Sequence, residues 1–306
     1  MCPADAGRRA GIWGLGALAA LAPLLWLPPT AAAAAPGLAV DVALVGLGHA
    51  LSSAVRLAPY MRAGDAWELV VDPRGRSFDA RYRAVLGVLH RRYPSIHILV
   101  LTSGIHNLLL LAPITPSYVQ WLGDDFEPGY EPEFSWSPRV MALEFRVASR
   151  HLRAYHKHLF VAPVGRHLFQ PAVGPKLLNR LAPDYGWVMP QTQHLAHRPR
   201  AFLTVVRAIR RNLPRRIRFW PEVTVGNPHL QRDVPNGMPP SRLAKVLRHL
   251  PALGVHGVFI WHTPASVTDT VALLRGLGRR PLRPPVRRPA DALQVAALRP
   301  PYAGRD

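Results

Sequence analysis

Five of the chain's 18 acidic residues fall between positions 124 and 133: Asp124, Asp125, Glu127, Glu131 and Glu133. Asp125 and Glu127 are two apart, so on an extended segment their side chains point to the same side. Two carboxylates held close in a partly apolar pocket repel. One then keeps its proton to higher pH, which suits a general acid working near neutrality. Glu131 and Glu133 repeat the spacing, flanked by Phe134 and Trp136. An acidic loop is ordinarily just solvated, but this one follows an apolar run in an otherwise basic chain, which favours chemistry.

Other apolar runs also end in polar groups. One ends Met189-Pro190-Gln191-Thr192-Gln193-His194, another Trp220-Pro221-Glu222, a third Trp261-His262. Singly, such a Glu caps a helix or pairs with an arginine, and such a Trp is core. Together, the pair Asp125 and Glu127, neighbouring Asp124, Glu222, the amides of Gln191 and Gln193, and the indoles of Trp136 and Trp261 describe a sugar site. Aromatic faces stack on sugar rings, and polar groups bond hydroxyls. Glycoside hydrolysis needs a protonated acid and, opposite it, a second carboxylate or a substrate group. Asp41 and Asp72 are further candidates for the mouth, although Asp72-Pro73-Arg74-Gly75 reads first as a turn. No HExxH motif occurs and no carboxylate stands at zinc-site spacing beside His151, His156, His158, His194 or His197, so neither metal nor cofactor is expected. Ser103-Gly104 with His106 lacks the form of a nucleophile elbow.

These groups need elements to position them. Short, nearly continuous apolar runs at Leu38–Leu47, Trp67–Val71, Ile96–Leu101, Tyr118–Leu122, Leu159–Val164, Tyr185–Met189, Ile217–Trp220 and Gly257–Trp261 read as eight strands. Helical patterns lie between them: 49–61, 78–92, 137–156, 175–181, 201–212 and 241–250, with 267–277 after the last. The link after the third strand, Leu108–Leu111, reads as short and apolar. Strands of this kind are parallel and buried on both faces. Eight such units in about 240 residues predict a single-domain α/β fold, a (β/α)8 barrel, whose catalytic groups sit at the carboxyl ends of the strands. An open doubly wound sheet is the alternative; Val45-Gly46-Leu47-Gly48-His49 lacks the third glycine of a dinucleotide fingerprint.

The ends read differently. Residues 1–36 have the pattern of a secretory signal peptide: Arg8-Arg9, an uncharged stretch from Ala10 to Leu27, Pro28-Pro29, then the small residues Ala31–Ala35. An uncleaved anchor is the competing reading; cleavage leaves no stable membrane span and a secreted barrel of residues 37–278. The single cysteine, Cys2, excludes a disulfide framework. Arg279–Asp306, rich in proline and arginine, reads as a disordered tail that could touch an anionic cell envelope. The net charge of +20 rests almost wholly on arginine, with only Lys157, Lys176 and Lys245 as lysines. Those arginines are scattered and no nucleic-acid module is recognisable, so nucleic acid is not the expected partner.

The segment Gly123-Asp124-Asp125-Phe126-Glu127 resembles the strand-four signature of glycoside hydrolase family 18, the chitinases and endo-N-acetylglucosaminidases, which ends in Asp-x-Asp-x-Glu. The resemblance implies Glu127 as the acid and Asp125 as the group orienting the substrate's acetamido nucleophile. Gly123 stands where that family has an Asp. Met189 with Gln191 is similar to the family's strand-six motif without its Tyr, and Gly257–Trp261 to its strand-eight segment, whose Trp floors the sugar site. Asp125–Glu127 with Gln191–Gln193 also resembles a broader group of secreted bacterial barrels, which implies a fold but no reaction. A different pairing is that of retaining barrel glycosidases, with the acid after strand four and the nucleophile after strand seven: Glu127 and Glu222, about 5 Å apart. Phe126 stands where those enzymes have Asn. Two functions follow as expectations: a secreted glycoside hydrolase acting on a polysaccharide or glycan, or a non-catalytic carbohydrate-binding or cell-envelope barrel.

Overall fold

The computed structural model describes residues 37–73, 78–125, 138–163, 174–195, 197–226 and 237–282. The expected signal segment and most of the expected tail lie outside them. Among the described residues no helix is long and apolar enough to cross a membrane.

The apolar runs form parallel strands, β1 (Ala39–Val45), β2 (Ala66–Val70), β3 (His97–Thr102), β4 (Trp121–Asp124), β5 (His158–Val161), β6 (Trp187–Val188), β7 (Arg218–Phe219), β8 (Glu222–Thr224) and β9 (Gly257–Trp261). Between and after them run helices α1 (Leu47–Leu57), α2 (Phe78–Arg92), α3 (Ile105–Ile114), α4 (Pro138–Ala154), α5 (Gly174–Leu181), α6 (Pro199–Asn212), α7 (Pro240–Leu247) and α8 (Val267–Gly276). In α6, Pro199 opens the first turn, where its missing N–H is harmless, and Phe202, Val206 and Ile209 form the buried stripe. Leu108–Leu111 belongs to α3 rather than to a short link. That helix is apolar on nearly every face and contains Pro113, so it carries no helical period to read.

The sheet order β7-β6-β5-β4-β3-β2-β1-β9-β8 places β7 and β8 at opposite ends, yet only Trp220 and Pro221 separate them in the chain. They are one strand. Pro221 cannot donate to a ladder and interrupts it. Trp220 and Glu222 donate backbone N–H groups to Val188 and Pro190 at 3.1 and 3.0 Å, while the Pro221 carbonyl accepts from Phe259 at 3.2 Å. One side of this strand therefore meets β6 and the other meets β9. Eight strands close into an α/β barrel, and the seventh runs further than the expected Ile217–Trp220.

Alternate residues point inward. Ala43, Leu99, Leu101, Phe160, Trp187, Met189 and Phe259 form the interior core, and the outward residues pack a larger core against the helices. Glycines face the biggest rings. A Cβ on Gly123 would lie 2.1 Å from Phe160 Cζ, and one on Gly257 would lie 2.0 Å from the Trp220 indole. Near the amino ends of the strands, Trp187 sits edge-on to both Trp121 and Trp220, with the Arg218 guanidinium over Trp121 and Trp187.

Arg279, expected to begin the tail, belongs to the barrel. It is 4% exposed, pairs with both Asp65 oxygens, and donates to the carbonyls of Leu38 and Tyr60. Asp65 also accepts the N–H groups of Val40 and Arg62 at 2.9 and 2.6 Å. Leu282 donates to Pro59. Removing one partner of a buried pair strands the other charge. Arg279→Ala should therefore lose about 3–5 kcal/mol in urea denaturation, and a loss below 1 kcal/mol would contradict the clasp. Gly123→Ala should lose about 1–3 kcal/mol by overpacking, and Phe160→Ala in the same chain should recover part of the overpacking penalty.

Candidate functional site

Inward positions on β1, β2, β8 and just past β4 carry carboxyl groups. Asp41 on β1 and Glu222 on β8 both stand opposite Phe259, one on each side of β9. Glu68 on β2 stands between Ala43 and Leu99. All three carboxyl groups are buried, and Asp125, just past β4, is half-buried above them.

Asp125 is held from two directions. Its backbone N–H donates to Thr102 at 2.9 Å, and its Oδ1 accepts from Gln191 Nε2 at 2.6 Å. Gln191 also donates to the Ala162 carbonyl at 3.2 Å, so one amide ties the ends of the fourth, fifth and sixth strands together. Thr192 Oγ1 donates to the Glu222 carbonyl at 2.6 Å, fixing the turn after β6 against β8.

Beneath Asp125, Asp41 and Glu68 take no hydrogen bond from any other side chain among the described residues. Burial pushes the Asp41 carboxyl up to about 8, with the hydrogen bond from Glu68 opposing the rise and the charge of Asp65 adding to it. Burial also drives Glu68 well above the ordinary carboxylate range. The charges of Asp41 and Glu222, the hydrogen bond to Asp41, and the charge of Asp125 add to that shift. The signs describe one proton held on Glu68 and donated to Asp41.

The other expected site residues are distributed as follows. Asp124 points outward, where its Oδ1 accepts the Gly104 N–H at 3.0 Å at the start of α3. Gln193 is half-buried in a short turn after Thr192, and its Oε1 has no partner among the described residues. Trp261 is half-buried at the carboxyl end of β9, with its ring edge-on to Phe259 at 6.4 Å. Glu127 and Trp136 lie outside the described residues. Asp125, Glu222, Gln191 and Trp261 thus share the interior, and Asp124 does not. Asp41 lies deep in the interior rather than at the mouth. Behind Trp261, His262 faces away from the site, its Nδ1 3.0 Å from Thr270 Oγ1, and burial with the Arg56 charge lowers it to about 4.

Glu68 escaped the sequence reading. Its signal was parity: it is the one charged residue in Ala66–Val70, and it stands opposite Ala43, which faces inward. Gly123 has a steric cause, since Phe160 fills the volume an acidic side chain there would need. Among the described residues, no group of three or more His, Cys, Asp or Glu side chains is placed to hold a metal ion.

Because both buried carboxyls are raised on folding, their ionisation penalises the folded state. The penalty is absent below about pH 4, the ordinary carboxylate range, and is complete for Asp41 only above about 8. Glu68→Gln keeps a donor for Asp41 and removes one ionisation. Its melting temperature relative to the parent should rise with pH, by about 2–4 °C or more between pH 4.5 and 9. A difference that stays constant across that range would rule out the shared proton.

No protein-family model matches the sequence, and no curated protein matches it. Among solved structures, the chain is similar to a chitinase from Chromobacterium violaceum ATCC 12472, at 12% identity and a TM-score of 0.51, covering 79% of this chain and 100% of that one. It is also similar to the Bacillus cereus spore cortex-lytic enzyme SleL, at 9% identity and a TM-score of 0.50, covering 78% of this chain and 74% of that one. At these identities the likeness is one of fold, the α/β barrel.

Proposed function

We propose that this chain is a secreted glycoside hydrolase acting on a polymer or glycan of N-acetylamino sugars, with Glu127 as the general acid. The observation that carries this proposal is the 2.6 Å hydrogen bond from Gln191 to Asp125 at the carboxyl ends of the strands. It fixes a carboxylate two positions before Glu127 on the inner side of the barrel. From there Asp125 can accept the N–H of a substrate acetamido group and orient its oxygen toward the anomeric carbon. Glu127 then protonates the departing oxygen, and Trp261 offers a face for the sugar ring.

A non-catalytic, carbohydrate-binding role is the second reading. It is favoured by one feature, the Phe160 ring in the place where family 18 carries a further Asp. Glu222 as the nucleophile of a retaining pair fares less well, because it is 2% exposed beneath Asp125.

The chain from residue 37 onward should be assayed on chito-oligosaccharides, peptidoglycan fragments and aryl glycosides. Glu127→Gln should lower kcat by about 10²–10⁴-fold, the usual contribution of a general acid. Asp125→Asn should lose activity on substrates with an acetamido group more than on those without. Glu222→Gln should retain turnover. Sugar binding without turnover, lost in Trp261→Ala, would replace hydrolysis with the binding role. Neither turnover nor binding would remove both.

A further inference from the structure

The opposite end of the barrel carries a second concavity with inverse chemistry. A cleft of about 670 Å³ opens beside the amino ends of β7 and β9. Arg211, Arg215, Arg218 and His256 line it with Phe219 and Trp220, and no carboxylate does. Its volume falls in the range of small-ligand pockets. Arg211, Arg215, Arg218 and His256 are all exposed, and Trp220 is half-buried.

The arginines divide by role. Arg210 is consumed by structure: it donates to the carbonyls of Ile217, Leu213 and Pro214 at 3.1 Å each. Arg211 and Arg215 have no hydrogen bond or ion pair from their guanidinium groups among the described residues. Arg218 rests on the faces of Trp121 and Trp187, 5.7 and 5.0 Å from the ring centroids, which pins its charge without neutralising it. Like charges are thereby crowded, and Arg210 is already lowered by burial and by the charge of Arg215. Three guanidinium forks lining one cleft with an indole offer donors that match the oxygens of a phosphate-type group.

We infer that this cleft binds a multiply charged oxyanion, a phosphate-type group, through Arg211, Arg215 and Arg218. Such a group relieves the crowding of cations that the fold otherwise tolerates. The site is independent of the carboxylates at the other end of the barrel, and it holds whether or not those carboxylates hydrolyse a glycan.

The full chain should be titrated with inorganic pyrophosphate at constant ionic strength, following Trp fluorescence and melting temperature. A parallel arm uses vesicles of phosphatidylglycerol, which carry the same oxyanion on a surface. Saturable one-to-one pyrophosphate binding with a raised melting temperature supports a free ligand. Saturable binding to vesicles alone supports the same site with a surface-borne phosphate. In either arm the double variant Arg211→Gln, Arg215→Gln should weaken binding at least tenfold without disturbing the rings under Arg218. Arg218→Gln should weaken it as well. Arg83→Gln, an exposed arginine on α2, should bind as the parent does. Equal weakening in Arg83→Gln, or binding that merely follows ionic strength, would overturn the site in favour of diffuse attraction. Absence of binding in both arms would overturn it outright.

Discussion

An eight-stranded barrel has a fixed interior, and everything inside this one competes for that volume. Phe160, Trp187 and Trp220 claim the amino half and the middle, and Phe160 and Trp220 are each large enough to demand a neighbour without a side chain. Gly123 and Gly257 supply that absence, and a Cβ at either would lie within about 2 Å of a ring. The remaining inward positions on β1, β2 and β8 carry Asp41, Glu68 and Glu222, which are sealed from water by the same packing. Burial then dictates the ionisation of Asp41 and Glu68: carboxyls that cannot be solvated keep protons instead. The chemistry at the mouth sits on a floor whose charge is set by how the aromatic rings are packed.

Much of this scaffold was legible because buried parallel strands leave a strong mark. Apolar runs of four to eight residues, separated by helix-length segments, fixed the strand count and nearly all the strand positions. Asp124 was expected beside Asp125 and Gln191, but strand parity turns it outward, where it accepts the Gly104 N–H, while the other two face inward. What escaped notice had a common cause, namely that the decisive partner lay far away in sequence. Glu68 looks like an ordinary charge in a short strand until Asp41, Asp125 and Glu222 are brought around it. Arg279 looks like the first residue of a basic tail until Asp65 appears 214 residues away. The α3 helix escaped for a local reason, since uniform apolarity erases the period that marks a helix. At Pro221, the missing N–H suggested the end of a strand where there was only a break in its ladder.

The two ends of the barrel are electrically opposite. Among the described residues, carboxyl groups lie inside the barrel from mid-strand to the carboxyl ends, while Arg211, Arg215 and Arg218 line a cleft at the amino ends. The aromatic stack of Trp121, Trp187 and Trp220 lies between them as an apolar partition.

The clasp of Arg279 on Asp65 also bears on the order of events during synthesis. Asp65 and β1 are made early, yet their partners, β9 and Arg279, are among the last described residues to be made. For some 214 residues after Asp65 is made its carboxylate has no Arg279, and β1 waits nearly as long for β9 on one side. At elongation rates of about 5–20 residues per second, the first strand waits roughly ten seconds or more with an open edge. The barrel therefore cannot finish folding piece by piece from its start: ring closure and charge neutralisation both wait for the segment from β9 to Arg279.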